Sequence, residues 1–143
     1  ESARVDGDVP PPESTWFHPG ERNPLVRLGA GIAAVAVCAD TGRPSHPAAA
    51  AERGATLYLA SVFVIPSDYE GDRARLSAYA SRHRMVVAMA NYGAPSGGLR
   101  SAGRSAIWSE SGELICQLDA AGTGVAIATD GVAGWSGHVV HDR

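Results

Sequence analysis

The pattern of hydrophobic and polar residues divides the chain into short apolar runs. Segments with helical spacing and segments rich in glycine and proline separate these runs. Residues 1–24 are rich in proline and charge, so an extended loop is predicted there. Residues 28–38 are almost all small or β-branched and apolar, which is typical of a central strand covered on both faces. An alanine-rich helix is predicted over residues 47–53, ending at Gly54.

Strands and helices then alternate. A second strand is predicted over residues 56–60 and a third over residues 85–90. Between them, residues 72–83 predict a helix with Leu76, Tyr79 and Ala80 on one face. After a glycine-rich loop, short strands are predicted over residues 105–108, 113–118 and 124–129. This order indicates an α/β (α+β) fold with a mixed sheet and two helices on one face.

Two helices on the same side leave the opposite face of the sheet without cover. An exposed apolar face of this kind marks an interaction surface, so further chain or a partner is expected against it. The chain also begins at Glu1 rather than at a methionine, which favours a processed product or a piece of a longer protein.

Composition narrows the class of protein. The 143 residues are 45% hydrophobic, enough for the core of one compact domain. A net charge of −3 without runs of like charge, and no apolar run long enough to span a bilayer, favour neither nucleic acid nor membrane as a partner. Two cysteines make no disulfide framework, so a reducing, cytoplasmic location is expected. All 12 basic residues are arginine, and lysine is absent.

Cys38 is the first candidate for chemistry, because it ends the buried strand just before a turn and a helix. Open α/β sheets bind ligands at this edge, and a helix N-terminus stabilises a thiolate. A small core hydrophobe is the alternative for a cysteine in such a strand. The sharp break at Asp40-Thr41-Gly42-Arg43-Pro44 favours the chemical role, since a purely structural cysteine needs no such turn.

Residues 31–44 resemble the nucleophile segment of the carbon-nitrogen hydrolase (nitrilase) superfamily, which has a glycine-containing strand, Cys-x-Asp, and then proline and a helix. Further segments resemble other family motifs in the same order and spacing. They are residues 13–20 with Glu13 and Pro-Gly, the Gly-Ala of residues 53–55, the Asn-x-Gly of residues 90–93, the Gly-x-Ser of residues 102–107 and the closing hairpin of residues 111–114.

This resemblance implies the C-terminal half of an α-β-β-α four-layer sandwich, whose missing N-terminal half would supply the second sheet. Residues 1–24 would be a loop segment carrying Glu13, residues 25–130 the half-domain, and residues 131–143 a tail. In the family such a tail often reaches another subunit, so a homo-oligomer is implied.

The resemblance also implies a reaction and its residues. Cys38 would attack an amide, carbamyl or nitrile carbon, the Ala39 N–H would stabilise the oxyanion, and Glu13 would position the catalytic lysine and substrate. The family's general-base glutamate and its lysine have no counterpart here. Arg4 is the nearest cation, and an arginine is no conservative replacement for that lysine.

Further site residues keep two interpretations each. Arg43 would bind a substrate carboxylate or be solvated, and Asn91 would contact substrate or shape loops. Trp16 and Phe17 would line the mouth of the pocket or anchor the proline-rich loop. No cofactor is implied. The five histidines show no paired zinc-ligand spacing; His138 and His141 lie in a polar tail, so no metal is expected.

Two functions from different classes remain. The first is a cysteine hydrolase of small amides or nitriles, of which this chain is an inactive fragment; the apolar segment 61–67 favours a small amide with a modest apolar group. The second is a binding or assembly module that lost the triad. The catalytic interpretation further predicts that Glu13 points into the pocket of Cys38 and that Cys116 is buried and unreactive.

Overall fold

The computed structural model describes residues 15–18, 20 and 23–141. Within them, strands β1 to β4 are Leu25–Leu28, Gly31–Val37, Leu57–Val62 and Val86–Asn91, and strands β5 to β8 are Ala106–Trp108, Leu114–Gln117, Gly124–Gly131 and Gly134–His141. Helices α1 and α2 are Ser45–Glu52 and Tyr69–His83, and a 3₁₀ helix covers Cys38–Gly42.

Six strands form one mixed sheet in the order β1-β2-β3-β4-β5-β6. The central pairs β2–β3 and β3–β4 are parallel, and the outer pairs are antiparallel. The carboxyl ends of β2, β3 and β4 therefore lie along the same edge. The predicted mixed sheet is confirmed.

Both helices pack on one face of this sheet, as the hydrophobic pattern predicts. One cluster of buried side chains joins Ala50 of α1 and Leu76 of α2 to alternate sheet residues such as Ala36, Tyr58 and Val87. Small alanines on β2 let the helices approach the sheet closely, while the larger Tyr58 and Trp108 fill the space beside them. Leu76, Tyr79 and Ala80 are all buried, which confirms the predicted face of α2.

The opposite face of the sheet stays partly open. Val35 and Val37 of β2 are 45% and 59% exposed, so β2 is not covered on both faces within the described residues. Across the sheet, Val35 lies beside Leu59, and Leu59 beside Ala88, so an apolar row continues over the parallel strands. The predicted lack of cover on one face is thus observed in the described part of the chain.

The β7–β8 hairpin covers this second face near β5 and β6. Cys116 of β6 lies 3.6 Å from the carbonyl oxygen of Ile127, and a Cβ built on Gly137 would lie 2.7 Å from the carbonyl oxygen of Ile115. A side chain at position 137 would therefore collide with β6.

Two strands were not predicted from the sequence. β1 ends at Leu28, inside the run of residues 28–38 that was predicted as a single strand, so the predicted start of that strand is wrong. Gly29, with φ +59°, turns the chain so that β1 pairs with β2. β8 lies within the segment assigned to a tail, and Gly134, with φ +93°, forms the turn that pairs it with β7. Both strands are stabilised by pairing with a neighbouring strand. The weak hydrophobic periodicity of their own residues does not predict that pairing.

Candidate active site

Cys38 lies immediately after β2, at the edge where the parallel strands end. Its φ is +46°, in the left-handed region that residues with a Cβ seldom adopt. The thiol-bearing residue is exposed, whereas the alanines of the preceding strand are buried. The position at the end of β2, rather than within the apolar layer, is the one the sequence analysis predicted. A left-handed cysteine costs on the order of 1–3 kcal/mol, and such strain is retained where surrounding contacts enforce it.

Hydrogen bonds within the turn supply those contacts. The backbone N–H of Val37 donates to the Asp40 carboxylate (3.0 Å), so this side chain closes the turn around Cys38. The hydroxyl of Thr41 donates to the carbonyl oxygen of Cys38 at 2.8 Å. At the end of the 3₁₀ helix, the N–H of Arg43 donates to the carbonyl of Asp40. The Asp of the Cys-x-Asp pattern thus has a structural reason for its spacing.

The structure places the predicted oxyanion donor in the first turn of the 3₁₀ helix. Ala39 is the second residue of that helix, where backbone N–H groups have no acceptor within the helix. Residue Ala39 is exposed. Arg43 follows at the end of the helix, and its side chain is exposed.

Asn91 ends β4 two strands from β2, and its side-chain amide binds backbone groups. Its Oδ1 accepts the N–H of Val64 at 2.8 Å, and its Nδ2 donates to the carbonyl of Gly103 at 2.7 Å. Only 6% of the residue is exposed. These contacts match the loop-shaping interpretation of Asn91; a contact with substrate stays a prediction.

A cavity of about 500 Å³ opens at the ends of β4, β5 and β6. Asn91, Gly103, Ser105, Asp119 and His141 are among its lining residues. It shares the sheet edge with Cys38, because β5 begins and β6 ends where β4 ends. Its lining comes from four separate segments of the chain, so no local pattern in the sequence predicts its shape.

Cys116 differs from Cys38 in its burial. It is buried on the second face of β6, and burial raises the pKa of its thiol. Thiolates are the reactive form, so this shift disfavours reaction. The predicted burial of Cys116 is confirmed, although its neighbour Leu114 is 45% exposed.

No group of three or more His, Cys, Asp or Glu residues that could hold a metal is found among the described residues. His138 and His141 lie on β8, where residues three apart point to opposite faces. None of the helices in this part of the chain is long and apolar enough to cross a membrane.

The sequence profile of the carbon-nitrogen hydrolase family matches residues 7–131. The chain belongs to the carbon-nitrogen hydrolase family. A search of curated protein sequences gave no match.

Solved structures of an amidase from Nesterenkonia sp. AN1 are similar to this hydrolase-family chain. The NitN amidase is 30% identical, with a TM-score of 0.66 over 79% of this chain and 45% of the amidase. A glutamate-to-glutamine variant carrying acrylamide on its active-site cysteine is 30% identical, with a TM-score of 0.67 over 79% of this chain and 45% of that one. A cysteine-to-alanine variant in complex with butyramide is 29% identical, with a TM-score of 0.66 over 80% of this chain and 44% of that one. The chain thus spans less than half the length of these amidases.

The remaining predicted site residues lie outside the described residues or on the surface. Glu13 and Arg4 lie outside the described residues. Trp16 and Phe17, predicted at the mouth of the pocket or under the loop, are each 72% exposed. Lysine is absent from all 143 residues.

Proposed function

We propose that the protein hydrolyses a non-peptide carbon-nitrogen bond of a small amide through a thioester on Cys38. The observation that carries this proposal is the geometry of Cys38, an exposed cysteine held in the left-handed region at the carboxyl edge of a parallel strand. Strained backbone at an exposed nucleophile is a feature of functional sites. The active-site cysteine named for the similar Nesterenkonia amidase supports the same role here.

The reaction proceeds in two halves. The Cys38 thiolate attacks the carbonyl carbon, a carbon-sulfur bond forms, and the carbonyl oxygen becomes an oxyanion. The carbon-nitrogen bond then breaks, and the nitrogen leaves with a proton as ammonia or an amine. Water attacks the thioester, so that the carboxylic acid leaves and the thiol is restored. Each half needs a base that takes and returns a proton.

Groups inside and outside the chain share this work. The Ala39 N–H, in the first turn of the 3₁₀ helix, stabilises the oxyanion, and Glu13 positions the catalytic lysine and the substrate. The general-base glutamate comes from a further half of the fold, beyond these 143 residues, that packs on the open face with Val35 and Val37, and the lysine lies shortly before Glu1. The 143-residue chain is therefore inactive by itself. Assembly into a homo-oligomer and a cytoplasmic location stay predictions.

The substrate is a small amide with a modest apolar group. Phe63 and Tyr92 follow β3 and β4 at the edge shared with Cys38, and their ring centroids lie 6.4 Å apart. Together with the half-buried Ile65, they give this edge apolar surface for an aliphatic group. Arg43 and Asn91 are the polar candidates for contact with the rest of the substrate.

The absence of lysine favours a second candidate, a non-catalytic binding or assembly module of the same family. The reading frame upstream of Glu1 separates the two. A lysine shortly before Glu1 and a glutamate further upstream support the enzyme, and their absence supports the module.

The experiment compares the two cysteines in the full-length protein. Cys38→Ala abolishes hydrolysis of small aliphatic amides, and iodoacetamide labels Cys38 in preference to Cys116, as measured by peptide mass spectrometry. Cys116→Ala is the matched control and retains hydrolysis. Amide hydrolysis that survives Cys38→Ala overturns the nucleophile assignment. Turnover of nitriles alone in the same screen overturns the choice of amides.

A further inference from the structure

One peptide group joins Cys38, the proposed nucleophile, to Ala39. It contains the carbonyl of Cys38 and the N–H of Ala39, which is the proposed oxyanion donor. A trans peptide is planar, and its carbonyl and N–H point in opposite directions. No peptide bond among the described residues is cis. Whatever fixes the carbonyl of Cys38 therefore fixes the direction of the Ala39 N–H.

Thr41 fixes that carbonyl. Its hydroxyl donates to the Cys38 oxygen at 2.8 Å, and the residue is only 4% exposed. A buried hydroxyl with one good acceptor has little freedom to rotate away, because breaking the bond would leave a buried polar group unpaired.

Helix α2 holds Thr41 in turn. The carbonyl oxygen of Thr41 accepts two hydrogen bonds at 3.1 Å, one from the Tyr79 hydroxyl and one from Arg75 Nε. Arg75 is itself held by an ion pair with Asp72 one turn earlier. The Tyr79 ring packs edge-on against Tyr58 of β3, with ring centroids 6.3 Å apart. The turn is thus tied to both the helix and the strand next to β2.

We propose that Thr41, Tyr79 and Arg75 are positioning residues that aim the Ala39 N–H at the oxyanion. The inference rests on the proposed function, and none of the three residues acts on substrate directly. Thr41 sets the plane of the Cys38–Ala39 peptide, while Tyr79 and Arg75 hold Thr41 against the sheet. This role accounts for the hydrogen bonds that join Thr41 to Cys38 and to helix α2.

The test compares amide hydrolysis, which depends on the orientation of the oxyanion donor, with alkylation of Cys38, which depends only on an intact turn. Alkylation of Cys38 by iodoacetamide displaces iodide from a saturated carbon and forms no oxyanion, whereas amide hydrolysis needs one. Thr41→Val removes the hydroxyl and keeps the shape. In the full-length protein it lowers kcat for amide hydrolysis about tenfold or more, since loss of one oxyanion donor costs about 10²–10³ in kcat. The alkylation rate of Cys38 stays unchanged, and Thr41→Ser restores kcat.

Helix α2 provides a matched pair of tyrosines. Tyr79→Phe lowers kcat in the same direction as Thr41→Val, with little change in KM. Tyr69→Phe is the control; its buried hydroxyl lies 2.9 Å from the carbonyl oxygen of Arg104, away from the Cys38 turn, and its loss leaves kcat unchanged.

Three results overturn the inference. They are unchanged kcat in Thr41→Val, equal loss of alkylation and hydrolysis in that variant, and equal kcat in Tyr79→Phe and Tyr69→Phe. Failure of the proposed function itself looks different, because hydrolysis would then survive Cys38→Ala.

Discussion

Gly103 offers a sharp test of how the loops beside the site pack. It precedes Arg104 in the Gly-x-Ser segment, has φ +58°, and lies where a Cβ would meet the backbone of Ala120. The Cβ would be 2.3 Å from the Ala120 carbonyl oxygen, whereas ordinary van der Waals contact begins at 3.4 Å. Gly103→Ala therefore needs the β6–β7 loop to move by about 1 Å, a displacement in the range where overpacking destabilises.

Gly97 separates the two costs of such a substitution. Its φ is +57°, nearly the same as that of Gly103, but nothing lies within 4 Å of a Cβ built there. Gly97→Ala thus carries only the cost of the left-handed backbone, about 1–2 kcal/mol. Gly103→Ala carries the same cost plus about 1–3 kcal/mol from the collision. The hydrogen bond from the Arg104 N–H to the Asp119 carbonyl, beside Ala120, would be disturbed as well.

Urea unfolding followed by circular dichroism measures this difference. We expect the free energy of unfolding to fall by about 2–5 kcal/mol for Gly103→Ala, against about 1–2 kcal/mol for Gly97→Ala. Equal losses in the two variants would refute the packing of the β6–β7 loop against Gly103.

Two further predictions concern Asn91 and His83. Asn91→Leu leaves the Val64 N–H and the Gly103 carbonyl without their partner, so the free energy of unfolding should fall by about 2–5 kcal/mol; an unchanged urea midpoint would contradict the loop-pinning role. Burial lowers the pKa of His83 below its ordinary value of 6.5. The unfolded chain then binds a proton more readily, so stability should fall as pH drops below about 6.5 toward the folded pKa. His83→Gln should weaken that dependence in pH-dependent thermal melts, and an identical slope in both proteins would contradict it.

The sequence by itself determined the alternation of strands and helices in the mixed sheet and the place of Cys38. Short apolar runs indicated strands β2 to β4, and helical spacing indicated the inner face of α2, because burial of one helix face imposes a regular spacing on local residues. The break at Asp40–Pro44 then put Cys38 at the carboxyl end of its strand. The open second face also followed, since two helices on one side cover only one side.

The tertiary structure decided what depends on contacts between distant segments. The donors to Thr41 lie 34 and 38 residues along the chain, and the amide of Asn91 binds backbone 12 and 27 residues away. No local pattern encodes such pairs, because the partners lie on helices, strands and loops that are far apart along the chain. Strands β1 and β8 likewise depend on a neighbour for their hydrogen bonds. The sequence therefore places Cys38, while long-range packing sets the direction in which its neighbouring groups point.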